Sequence, residues 1–268
     1  MPIFVTVDTP DDPRIADYRD IRERDLVGRR DLFVAEGEVV LAALVGSRLH
    51  RPISVLIDAR RAEKLVPLLE RLGEDVPVHL ASRAVLDAVA GFPLHRGILA
   101  LARRGSGVDA GTLLSGVGER ALVVAAFGIA NHDNIGGIFR NAAAFGAAAV
   151  LLDAECCDPF YRKAIRVSVG HVLTVPQARL APGEDAIGLL EAHGFEVLSL
   201  TPSAGERVVD VARRPRTALL LGAEGPGLPA TTLARTRGVA IPMAAGVDSL
   251  NVATTSGIVL HHLAMQTA

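Results

Sequence analysis

Apolar runs at 121–127, 148–152, 195–200, 217–221 and 238–241 recur through the second half of the chain. Between them lie segments with apolar residues at helical spacing, among them 135–145 and 185–193, each stopped by a glycine, Gly146 and Gly194. Strands that are apolar throughout and separated by helices predict a parallel sheet covered on both faces. In such a sheet, ligands bind beyond the carboxyl ends of the strands, so the loops after 127, 200, 221 and 241 are where chemistry is expected.

The first half has smaller periods. Glu36 to Val45 carries apolar residues at helical spacing, Ile53 to Ile57 is a strand-like run, and Arg60 to Leu72 is amphipathic and closed by Gly73. Val76 to Leu80 and Gly97 to Leu101 are further strands, with Ser82 placed to cap a helix between them. The stretch Arg103-Arg104-Gly-Ser-Gly-Val-Asp109 then combines charge, Gly and Ser, a hinge composition. The chain is therefore expected to divide into an N-terminal α/β domain, 1–104, and a larger α/β domain, 105–268.

Composition narrows the classes. Half of the 268 residues are apolar and 22% are charged, enough to build a core, which excludes wholesale disorder. No apolar run approaches the ~20 residues of a membrane helix, and the early acids at Asp8, Asp11 and Asp12 do not suit a signal peptide. A cytoplasmic location is expected. Cys156 and Cys157 are adjacent, which fits neither a disulfide framework nor a zinc pattern, and the histidines lack ligand spacing, so no metal site is expected. The net charge of −2 does not suggest a polybasic nucleic-acid binder, yet 26 of the 28 cations are Arg, whose planar fork suits phosphate.

Three loops carry candidate chemistry. Asn131-His-Asp-Asn-Ile-Gly-Gly-Ile-Phe-Arg140 leaves a strand and opens a helix, with Asn134 where an N-cap belongs, Gly136 and Gly137 permitting a ligand at the first turn, and Arg140 one to two turns on. Leu221-Gly-Ala-Glu-Gly-Pro-Gly227 ends a strand in three glycines around Glu224 and is not a GxGxxG dinucleotide fingerprint. In Ile241-Pro-Met-Ala-Ala-Gly-Val-Asp-Ser-Leu-Asn251, Ser249 is a candidate N-cap and Asn251 lies in the first turn of a helix running to Gln266. Each loop alone is open to a purely structural reading: a capped helix, a tight turn, a second cap.

Together, in order and wording, the three segments resemble the motifs of the SpoU-type (TrmH-like) RNA ribose 2′-O-methyltransferases of the SPOUT superfamily. Lys163-Ala-Ile-Arg-Val-Ser-Val-Gly170 resembles the family's intervening segment. Leu32-Phe-Val-Ala-Glu-Gly-Glu38 and His95-Arg-Gly-Ile-Leu-Ala-Leu101 resemble the small ribosomal-protein-like substrate-binding domain often fused in front. The resemblance implies a trefoil knot in the catalytic domain, a homodimer, and S-adenosyl-L-methionine held by Leu200, Thr201, Gly222, Ala223, Glu224, Gly225, Ile241, Pro242, Met243 and Leu250. It also implies that Asn134, Arg140, Glu224, Ser249 and Asn251 are the functional polar residues. One departure is Asn131-His132-Asp133, where many relatives have a Pro-Gly turn before the position of Asn134.

The implied reaction is attack of a ribose 2′-hydroxyl on a sulfonium methyl, which needs alignment and removal of a proton but no acid for the leaving thioether. Guanidinium is protonated with a pKa above ~12, so a phosphate clamp suits Arg140 better than the role of base. Ribosomal RNA is favoured over transfer RNA by the fused front domain. Two other readings stay open: a noncatalytic RNA-binding relative, and a SPOUT enzyme that modifies a base.

Overall fold

The computed structural model describes residues 2–19, 31–91 and 93–266. Its strands are β1 (Ile3–Val7), β2 (Leu32–Glu36), β3 (Arg51–Asp58), β4 (Pro77–Ala81), β5 (Ile98–Arg103), β6 (Ala121–Ala126), β7 (Ala149–Leu152), β8 (Gln177–Arg179), β9 (Glu196–Leu200), β10 (Arg216–Leu221) and β11 (Arg237–Val239). The α-helices among the described residues are α1 (Glu38–Gly46), α2 (Ala62–Leu69), α3 (Arg83–Ala90), α4 (Ala110–Ser115), α5 (His132–Ala144), α6 (Arg162–Val167), α7 (Ala186–Ala192), α8 (Ala230–Leu233) and α9 (Val252–Met265). They fall into two compact units, one of residues up to Ser106 with Phe160–Thr174, the other of Gly107–Pro159 with Val175–Ala268.

The first unit holds a mixed sheet in the order β1-β4-β3-β5-β2. β1, β4 and β3 run parallel, while β5 is antiparallel to both β3 and β2. Ser82 caps α3 as expected, its side chain accepting from the Val85 N–H at 3.3 Å. The expected helix over Arg60 to Leu72 is shorter, a 3-10 turn at Ala59–Arg61 followed by α2. Strand β1, Ile-Phe-Val-Thr-Val, has only Val7 of its five residues buried.

Residues 160–174 join this first unit, which the hinge composition after Arg103 did not suggest. Their anchor is Phe160, whose ring lies 5.3 Å from Phe33 and 5.1 Å from His50, with the Arg104 guanidinium 4.2 Å above it. Gly170, at φ +84°, passes so close to α1 that a Cβ there would sit 2.8 Å from that of Ala43.

The second unit is built on a six-stranded, wholly parallel sheet in the order β11-β9-β10-β6-β7-β8. Five of its strands lie where the apolar runs predict them. The sixth, β8, is only Gln-Ala-Arg and has no apolar run to reveal it. Every residue of β6 is buried, as a central parallel strand requires. Ala121, Val123 and Ala125 join the core under α4 and α7 with Leu114, Ile187 and Leu190. Helices α5 and α9 bury Ile135, Ile138 and Phe139, and Val259, Leu260 and Leu263, respectively. All three candidate loops leave carboxyl ends of these strands.

Candidate active site

The loop after β6 is fixed from beneath. Asp153 accepts from the Gly128 N–H at 3.0 Å and from the Cys156 N–H at 2.8 Å. Cys156 is buried, its Sγ accepting from the Ile129 N–H and donating to the Ala126 carbonyl, each at 3.3 Å. Burial pushes its thiol up to about 12, so Cys156 is a packing group and not a nucleophile. Arg179 fastens the same region by donating to the carbonyls of Asp153 and Cys156 at 2.7 and 2.9 Å. No spacing pattern in the sequence marks Asp153 or Arg179 for this task.

Helix α5 starts earlier than expected, and that changes the role of Asn134. Asn131 is the N-cap, its Oδ1 accepting from the Asp133 N–H at 2.8 Å. Asn134 therefore stands inside the first turn, and its side chain is released from capping. At α9 the same correction applies: Asn251, not Ser249, is the cap, accepting from the N–H groups of Ala253 at 2.9 Å and Thr254 at 3.2 Å. Gly137 also serves packing and not a ligand, since a Cβ there would lie 2.6 Å from the Cβ of Ala253. Asn141, one turn on, donates to the Ala253 carbonyl at 2.7 Å and to Ser256 Oγ at 2.9 Å, locking α5 against α9.

This packing brings three polar motif residues into one chain of hydrogen bonds. Asn251 Nδ2 donates to Asn134 Oδ1 at 2.8 Å, and Asn134 Nδ2 donates to Glu224 Oε1. Asn134 is only 4% exposed, so its amide orientation is set by these partners. The positive end of α9, gathered by Asn251 Oδ1, is thus passed through two amides to a carboxylate at the surface. Glu224 itself is held in a loop that folds back on its own backbone, where Gly227 N–H donates to the Ala223 carbonyl at 3.0 Å. Gly225 and Gly227 take φ of +88° and +69°, and a Cβ on Gly222 would strike the backbone of Gly227 and Leu228 at 2.4 Å.

Beside this relay is a pocket of about 530 Å3. Leu200, Thr201, Gly222, Ala223, Glu224, Gly225, Ile241, Met243 and Leu250 line it, and Ser249 and Asn251 with them. Pro242 does not; it lies exposed between two lining residues. Pro202, Leu221, Gly227, Asp248, Val252 and Thr255 also line the pocket and were not anticipated. Arg140 is on α5, exposed, outside the lining, and without a hydrogen bond or ion pair to the described residues. Six residues beyond Asn134, it lies roughly 120° round the helix at ~100° per residue. Within one chain, then, the site joins Asn134, Glu224, Ser249 and Asn251 but not Arg140.

The lining has a definite ligand chemistry. Leucine, isoleucine and methionine side chains make apolar walls. In the segment 241–250, the one backbone N–H with a backbone partner is that of Val247, which donates to the Ala244 carbonyl at 3.2 Å. The remaining main-chain donors and acceptors there are available to a heterocycle edge. Among the described residues, no group of three or more His, Cys, Asp or Glu is arranged to hold a metal, and no helix is long and apolar enough to cross a membrane.

Comparison with known proteins identifies the family. Residues 121–261 match the SpoU rRNA Methylase family. An uncharacterized tRNA/rRNA methyltransferase of Mycobacterium bovis is 39% identical over 261 residues, covering 94% of this chain and 88% of the relative. The 23S rRNA (guanosine-2′-O-)-methyltransferase RlmB of Escherichia coli is 27% identical over 79% of this chain and 88% of that one. Among solved structures, an AdoMet-bound rRNA methyltransferase from Sinorhizobium meliloti superposes with a TM-score of 0.79 at 24% identity, covering 97% of both chains. The chain belongs to the SpoU rRNA methylase family, the SpoU-type RNA methyltransferases of the SPOUT class.

Proposed function

We propose that the protein transfers a methyl group from S-adenosyl-L-methionine to a ribose 2′-hydroxyl of RNA, with ribosomal RNA the favoured substrate. The observation that carries this is the relay from Asn251 through Asn134 to Glu224 at the rim of an apolar pocket with open main-chain groups. The pocket fits the cofactor: apolar walls suit a thioether chain and purine face, and unpaired backbone groups suit the purine edge. Leu200, Thr201, Gly222–Gly225, Ile241, Met243 and Leu250 would hold it. When bound, it supplies an electrophilic methyl on a cationic sulfur.

The chain's own residues supply position and a place for the proton. Glu224 Oε2, left free when Oε1 accepts from Asn134, is an acceptor at the pocket rim for a ribose hydroxyl. Ser249, exposed at the same rim, can donate to the substrate or accept from it. Arg140, unpaired and away from the pocket, clamps a phosphate as a fixed cation and is not the base. Because Arg140 does not join the relay within its own chain, the complete site is read as a homodimer's, one copy's Arg140 serving the other's pocket. The family's knot belongs to the same reading, with the segments 200–202, 222–227 and 241–250 as its walls.

The first unit, with its Arg-rich α/β frame, is read as the RNA-docking, ribosomal-protein-like domain, and the location as the cytoplasm. Ribosomal RNA is favoured by the RlmB relatives, which are 23S rRNA (guanosine-2′-O-)-methyltransferases by name. Ribose is favoured over a base by these relatives and by a solved RNA 2′-O ribose methyltransferase at 25% identity and a TM-score of 0.75. Mapping of ribose-methylated positions in total RNA from cells with and without the gene tests this. One ribosomal position should lose its 2′-O-methyl group on deletion, and an unchanged map would reject the proposal.

A further inference from the structure

The pocket has an electrostatic character that its hydrogen bonds do not explain. Glu224 and Asp248 are the two charged side chains among the described residues that line it, and both are acidic. Glu224 is engaged by Asn134. Asp248 is exposed, has no hydrogen bond or ion pair to the described residues, and precedes Ser249 in the loop that carries Met243 and Leu250 into the lining. Such a pocket favours a cation, and a free carboxylate at its edge is a counter-charge without a partner.

We propose that Asp248 is a specificity residue that distinguishes the cationic methyl donor from its neutral-sulfur product. This rests on the reading of the pocket as the S-adenosylmethionine site. In the transfer, an oxygen lone pair forms the new O–CH3 bond and the C–S bond breaks with its electron pair left on sulfur. The hydroxyl proton passes to an acceptor and then to solvent. The ligand in the pocket therefore loses one positive charge while the pocket's own charges are unchanged. A carboxylate at that position holds the donor more tightly than S-adenosylhomocysteine and so favours exchange of product for donor. Because Asp248 is exposed, its effect is that of a solvent-screened pair, about two- to fivefold in affinity, and it fades as salt rises.

The test is calorimetric titration of the full-length protein with S-adenosylmethionine and, separately, S-adenosylhomocysteine, for the wild type, Asp248→Asn and Asp248→Glu at low and high salt. The expected result is that Asp248→Asn weakens the donor about two- to fivefold at low salt, leaves the product's affinity unchanged, and that Asp248→Glu restores the preference. Equal weakening of both ligands would overturn the proposal, since the carboxylate would then meet a group that the two share. Unchanged affinity for both would overturn it as well, leaving the cofactor reading intact. Failure of the folded wild type to bind either ligand would overturn the cofactor reading itself, and this proposal with it.

Discussion

Asn251 hands the Nδ2–H of its side chain to Asn134 Oδ1 at 2.8 Å while its own Oδ1 caps α9. One residue thus joins a helix terminus to a buried amide 117 positions earlier in the chain, and that amide to Glu224. The sense of the relay is fixed, because each amide presents its oxygen to one side and its NH2 to the other.

The relay's direction makes Asn134 sensitive to a change of one atom. Asn134→Asp would set an acceptor against Glu224 and place two carboxylates together at a buried position. Methyl transfer is expected to fall by about 10²-fold or more, with far-ultraviolet circular dichroism unchanged. Single-turnover methylation of RNA checks this; near-normal turnover would show that the relay does not position the reacting groups.

Arg140→Ala is expected to remove methyl transfer while leaving cofactor affinity within a few-fold, since Arg140 is exposed and outside the pocket lining. Loss of a positioning group costs on the order of 10²-fold or more in rate. Parallel titration and turnover measurements separate the two effects. A large loss of cofactor affinity would place Arg140 in the pocket after all.

The loop at Gly222 tolerates no side chain. A Cβ there would lie 2.4 Å from the backbone of Gly227 and Leu228, atoms that cannot rotate away. Gly222→Ala should therefore reopen the Ala223–Gly227 turn and weaken S-adenosylmethionine binding more than about tenfold, a loss of ~1.4 kcal/mol. Urea unfolding with and without cofactor would reveal it: the variant should lose the stabilisation by ligand that the wild type shows.

Much of this was legible in the sequence, and the exceptions have physical causes. Buried parallel strands announce themselves as apolar runs, so five of the six strands of the second unit were placed, while Gln177–Arg179 was hidden by its polar ends. The polar motif residues were named, but their tasks were not. Asn131 and Asn134 both suit a cap, and only the starting point of α5 decides between them. The small residues Ala253 and Gly257 admit Gly137 and Asn141 within the chain. Leu260 of the same helix is 0% exposed and belongs to the core. Periodicity counts apolar faces without saying which one a neighbouring helix covers.

That packing puts the test of the homodimer on the outer face of α9. On α9 the exposed residues are Thr254, Ile258, His261 and Met265, with Ile258 41% exposed. Ile258→Glu should give folded monomers with little activity, whereas Leu260→Glu should unfold the domain by burying an unpaired charge. Light scattering with circular dichroism reads both. A folded, active wild-type monomer at micromolar concentration would reject the dimer.

The first unit has its own acid response. Burial, followed by the nearby Arg104, lowers His50 to about 4, and its Nδ1 accepts from the Gly105 N–H at 3.1 Å. A histidine with a depressed folded pKa contributes stability above its unfolded value of 6.5, and that contribution is lost as pH falls towards 4. The denaturation midpoint should therefore drop across this window, and His50→Gln, which keeps an acceptor but cannot charge, should flatten the drop. An equally steep profile in the variant would assign it to other groups.

The most direct test of the central claim is transfer of an isotope-labelled methyl group from S-adenosylmethionine to unmodified ribosomal RNA by the purified protein. Complete digestion to nucleosides and mass spectrometry then locate the label. The label is expected on a single 2′-O-methylated nucleoside, reduced about 10²-fold or more with Asn134→Asp. Label on a base, or none on any RNA while the cofactor binds, would contradict the claim.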